Sequence, residues 1–125
     1  MAPLTARALF VARRLRLPLH EVFPKLSVWR IGKGLHLSRA HLLFHKHAVG
    51  GDESRRLFLM RLRERNLAFL YEQDVQTMVE NNQAFEAFVT ALTGVLEFRG
   101  DCEARPKDFP KSEAWISVPK VDVKL

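Results

Sequence analysis

Cysteine is almost missing from this sequence, tyrosine occurs once, and the first fifty positions contain a single acid. One cysteine, Cys102, in 125 residues rules out an internal disulfide framework. It suits a reducing compartment, so a cytoplasmic location is expected. Long apolar runs are missing too: stretches such as residues 17–19 and 67–71 fall far short of the roughly 18 residues that cross a bilayer. No membrane partner is therefore expected. The opening residues carry Arg7, Arg13, Arg14 and Arg16 but no long apolar segment ending in a small-residue cleavage site, which argues against a secretory signal. A Walker glycine loop, a dinucleotide-binding fingerprint and a serine-hydrolase elbow are also lacking. What is present, 47% hydrophobic and 27% charged residues, is the mix of one globular domain over residues 1–125. A chain of this length buries roughly two-thirds of its unfolded surface, enough for one core without metal or disulfide.

The formal charge of +6 is unevenly spread. Residues 1–50 hold nine Lys or Arg against Glu21, a net of +8, and residues 51–125 hold eleven against thirteen acids, a net of −2. Such a basic half fits a face for a polyanion, usually nucleic acid, and equally a solvated basic surface.

Residues 4–16 alternate apolar side chains and arginines at a helical period, and Pro18 stops that helix. Residues 17–24, bounded by prolines, suit a brief strand containing Glu21. Residues 25–32 suit one or two helical turns closing at Gly32. Residues 32–52 read as a basic loop rich in glycine and histidine, with a helix over 38–47 that the Ser38 hydroxyl could cap. From Asp52 a helix should run to about residue 66 with Leu57 and Met60 inward and Leu62 and Leu67 as further candidates, and a short one should follow over 68–79. The clearest helix spans 83–99: Phe85, Phe88, Val89, Leu92, Val95 and Leu96 form one apolar stripe, with Asn82 as N-cap and Gly100 as stop. A polar loop over 101–113, a strand within 114–119 and a charged tail over 120–125 complete the chain.

Four pieces occur in a suggestive order: Glu21-Val-Phe-Pro24, the pair Arg55-Arg56, the segment FEAFVTALTG at 85–94, and AWISVP at 114–119. Together they resemble the C-terminal part of the predicted RNase-H-like nucleases known as domain of unknown function 429. In that family an EVYP strand, a helix with an Arg-Arg pair, a helix of the type LDALVAALTA and a GWIWVP-like strand follow one another. The resemblance covers about residues 5–119. It implies an α/β fold, helix-rich and truncated, with a reduced sheet, because the family's earlier acidic strands have no counterpart here. Glu86 stands where the family has aspartate, and Phe23 where it has tyrosine.

RNase-H-like hydrolysis places carboxylates from separate elements around two divalent metals about 4 Å apart. The resemblance thus implies Mg²⁺ or Mn²⁺, with Glu21 and Glu86 as the remaining catalytic and metal-binding acids. Two carboxylates are few, so metal affinity and transition-state stabilisation should both fall. Glu86 can equally be an acid favoured by a helix N-terminus, and Glu21 half of a buried pair with an arginine. Arg39, Lys46 and Arg55 are candidates for phosphate contacts or simply a solvated basic face. His41 and His45, four apart, could share a zinc ion with His36 or His47, against exposed loop histidines as the plain alternative. Trp29 and Trp115 read as packing residues. The two functions left open are a metal-dependent nuclease acting on nucleic acid, and a non-catalytic nucleic-acid-binding or assembly module. In the second, a partner strand or another copy would cover an exposed sheet edge. A reading frame whose upstream codons supply the missing strands is a third expectation.

Overall fold

A computed structural model describes residues 2–121 and 123–125; Met1 and Asp122, the latter in the expected tail over 120–125, lie outside the described residues. Six helices and two short strands occur among them: α1 (Ala2–Ala12), β1 (Glu21–Val22), α2 (Pro24–Gly34), α3 (Arg39–Leu43), α4 (Gly51–Glu64), α5 (Glu72–Glu80), α6 (Asn82–Phe98) and β2 (Ile116–Ser117). The fold is helix-rich α/β with a reduced sheet. β1 and β2 pair in parallel, Glu21 beside Ile116 and Val22 beside Ser117. Parallel strands need a crossover connection, and here α2 to α6 all lie within it. The far side of β2 continues into a segment around Cys102. The Glu103 N–H donates to Val118 O at 2.7 Å, and Cys102 forms an antiparallel bridge with Pro119.

The core forms where α2, α4, α5 and α6 meet, and Ile31, Leu59, Leu62, Val75, Phe85 and Val89 are fully buried in it. Gly32 is required by packing: a Cβ there would lie 2.1 Å from Leu42 Cδ2. α6 follows the expected stripe, with Thr93 completing it and Val95 turned outward. Its cap is Asn81, one residue earlier than expected, whose side chain accepts from the N–H groups of Gln83 and Ala84. Gly100 closes the helix end in the left-handed region, φ 78°.

Other expectations shift. α1 ends at Ala12, followed by single turns at Arg13 to Leu15, rather than running to residue 16. α2 has about three turns, because Pro24 sits at its first position, where the missing N–H costs nothing. Ser38 stands at the N-cap of α3 but its side chain makes no capping bond. In α4 the buried residues are Gly51, Ser54, Arg55, Phe58, Leu59 and Leu62, while Met60 faces out. The tail folds back, burying Val123 and placing its carbonyl against Gly34. α1 makes no extensive contact with another element.

Candidate functional site

Glu86 lies in the second turn of α6, four residues after Asn82, and its side chain is largely buried. Lys46, from the turn before α4, brings its Nζ to 3.1 Å from Oε1. His45, 2% exposed, points Nε2 at the same oxygen from 3.5 Å. Its Nδ1 lies 3.3 Å from Leu42 O. The His45 ring rests on Phe85, 5.7 Å between centroids. Partial burial pushes the Glu86 carboxyl upward, but the Lys46 bond and charge, with bonds from His45 and Asn82, outweigh it and hold the group below its ordinary value.

That depression has a pH consequence. A carboxylate with a lowered folded-state pKa adds stability that is present above its ordinary value of about 4.5 and is lost as pH falls through the folded value. Lys46 is 54% exposed, so screening limits the pair to under about 1 kcal/mol. Urea unfolding from neutral pH to pH about 3 should show a smaller acid loss in Glu86→Gln than in the parent chain. Equal acid loss in both would dismiss the role of Glu86.

Glu21 is placed elsewhere. It is exposed on β1 and lines a groove of about 880 Å³ between α1 and the residues preceding both strands, with Leu19, His20 and Trp115. Glu21 and Glu86 share no hydrogen-bond or ion-pair partner among the described residues. There, no three of His, Cys, Asp or Glu converge as a metal-ligand group. Glu86 already faces the nitrogen-bearing side chains of Lys46, His45 and Asn82, and the donor set does not fit a two-metal centre. The zinc grouping does not form either. His41 turns its Nδ1 to Ser54 Oγ at 3.4 Å, His45 turns inward, His36 is exposed, and His47 packs edge-on against Phe44.

Arg55 departs most from expectation. It is 6% exposed, which rules out phosphate contact in the folded chain. Its Nε–H donates to Val79 O at 2.9 Å, its Nη2 to the same carbonyl, and its Nη1 to His45 O. Val79 lies in the last turn of α5, where carbonyls lack intrahelical donors and no basic residue of α5 itself is present. The signal was in the spacing: Arg55 stands three, four and seven residues before Phe58, Leu59 and Leu62, on the apolar face.

Arg39 and Lys46 are exposed, Arg39 at the start of α3 and Lys46 shortly after its end. Of the nine cations in residues 1–50, only Arg30 and Lys46 pair with an acid among the described residues, Arg30 with Glu103 at 3.3 Å. Arg7, Arg13, Arg14, Arg16 and Arg39 form no such pair and are exposed. In the second half, with its thirteen acids, Arg61, Arg63 and Arg99 pair with Glu64, Glu72 and Asp101. Cys102 is buried and its thiol is pushed up to about 12, by desolvation first and then by Glu97, Asp101 and Glu103. A thiol held protonated is a poor nucleophile. Trp29 and Trp115 are half-buried, and Trp115 Nε1–H donates to Glu103 O at 3.3 Å.

Comparison of the chain with protein-family models, with curated proteins and with solved structures finds no match.

Proposed function

We propose that this chain is a nucleic-acid-binding module that works without metal-dependent hydrolysis of its own. The carrying observation is the set of exposed cations of the first half that pair with no acid among the described residues, in a half whose formal net charge is +8. Cations already paired with acids must break those pairs to meet phosphate, whereas Arg39, Lys25 and Lys33 are free to release counterions on contact. The fold proposed for it is a reduced relative of the RNase-H-like class, supported by parallel pairing of the Glu21-Val-Phe-Pro24 strand with the strand of AWISVP. The nuclease reading of the same resemblance, with Glu21 and Glu86 on Mg²⁺ or Mn²⁺, would need further carboxylates brought to one place.

Fluorescence anisotropy with a labelled single-stranded oligonucleotide tests the proposal. About four phosphate contacts on a single strand give a log–log salt slope near −2.8, a roughly fifty-fold loss of affinity between about 50 and 200 mM salt. Arg39→Gln and Lys33→Gln together should flatten that slope by about one unit or more. Affinity that ignores salt, or a slope unchanged in the double variant, would remove these cations from the interface.

A further inference from the structure

A groove of about 350 Å³ opens between α2 and α3. Phe23, Leu26 and Trp29 form one wall and Leu42 and Leu43 the other, and Lys25 is the only charged residue that lines it among the described residues. Trp29 packs partly against the core, as a packing residue should, and the rest of it is left to the groove. Phe23 is 54% exposed, yet its backbone is pinned at the start of α2, where its carbonyl accepts from the N–H groups of Leu26 and Ser27 at 3.0 and 3.1 Å. An exposed ring on a fixed backbone loses little freedom when a flat partner stacks on it.

Charge decides the occupant. Lys25, Trp29 and Lys33 stand four apart and so form one row along α2, about 12 Å from end to end. Lys33 Nζ lies 5.6 Å from the centroid of the Trp29 ring. On α3, Arg39 stands four residues before Leu43 and shares its side of the helix. Lys25, Lys33 and Arg39 form no ion pair among the described residues. A second copy docked through this face would set the three cations against themselves, which is repulsive. The larger groove beside α1 carries Glu21, which would repel a phosphate strand. Aromatic surface bordered by unpaired cations suits a single strand, with a base on the ring and phosphates on the cations. A duplex keeps its bases paired and stacked inside, so it has none to insert. Resting on the nucleic-acid reading of these same cations, we infer that the groove between α2 and α3 takes an unpaired base of a single-stranded nucleic acid, with Phe23 as the stacking platform and Lys25, Lys33 and Arg39 on the flanking phosphates.

The test is fluorescence anisotropy of the full chain with two labelled probes of equal length, a thymidine oligonucleotide and an abasic deoxyribose-phosphate strand. The parent chain should bind the base-bearing strand at least about fivefold more tightly, the effect of one stacked base. Phe23→Leu keeps apolar bulk but removes the ring, so it should lose most of that preference. Its salt slope should match the parent, because phosphates set the slope. Phe23 lies outside the core, so the thermal midpoint of Phe23→Leu should also match. Equal affinity of the parent chain for the two strands would overturn the inference, and that comparison needs no variant to fold. So would a Phe23→Leu chain that keeps the full preference, or a dimer in size-exclusion chromatography that Phe23→Leu dissolves. Salt-dependent binding that is equal for the two strands would keep the cations at an interface while emptying the groove. No binding to either strand would remove both readings.

Discussion

Arg55→Ala should lower the thermal midpoint by roughly 10–20 °C and the unfolding free energy by about 3–5 kcal/mol. The guanidinium holds three segments at once: the last turn of α5 through Val79 O, the turn before α4 through His45 O, and its own helix. Alanine leaves both carbonyls inside the protein without donors, at about 1–3 kcal/mol each, and opens a cavity beside Gly51, where an added Cβ would lie 3.0 Å from Arg55 Nη1. Arg55→Lys keeps the charge but loses the planar fork that reaches two carbonyls, so it should fall between the two. Thermal denaturation followed by circular dichroism measures the loss. The functional readout runs the other way: oligonucleotide affinity of Arg55→Lys, measured well below its midpoint, should match the parent chain. A variant that stays as stable as the parent but binds nucleic acid weakly would return Arg55 to the phosphate-contacting role that its sequence position invites.

How much of this was readable from the sequence depends on whether the needed signal was local. The α6 stripe was, since Phe85, Val89 and Leu96 repeat at the helical period over about three turns, and so was the uneven charge. Both strand sites were legible from their proline borders. The phase of α4 was not, because Leu57, Phe58, Leu59, Met60 and Leu62 crowd apolar residues around most of the helix. Periodicity then cannot choose between burying Met60 and burying Phe58. Only tertiary contact with Phe85 decides it. Arg55 was misread because arginine is assigned to the surface by type, although its place on the Phe58–Leu62 face argued otherwise. The joining of Lys46 and His45 to Glu86 spans about forty positions and no local pattern encodes it. The same holds for Glu21, which lies on the short strand expected for it yet faces α1 instead of Glu86.

Phe85→Ala should be as damaging as loss of Arg55, about 3–5 kcal/mol, while Phe98→Ala, four turns along the same helix, should be within about 0.5 kcal/mol of the parent. Phe85 is fully buried and meets Phe58 edge to face, 5.3 Å between centroids at 82°, whereas Phe98 is 93% exposed. The loss has two parts: apolar transfer with its cavity, and the aromatic contact, itself worth about 0.5–1.5 kcal/mol. A double-mutant cycle with Phe58→Leu isolates the second part by urea unfolding. Phe85 also walls in His45, whose other face of contact is Glu86. Without that wall water reaches the His45 ring and the Glu86 carboxylate, weakening their interaction with Lys46 by raising the local dielectric. Phe85→Ala should therefore also shrink the acid-dependent loss of stability that Glu86 supplies, which Phe98→Ala should leave untouched. If Phe85→Ala destabilised the chain but kept the full Glu86 pH dependence, the site and the core would be independent, and the packing of His45 between them would have no bearing on Glu86.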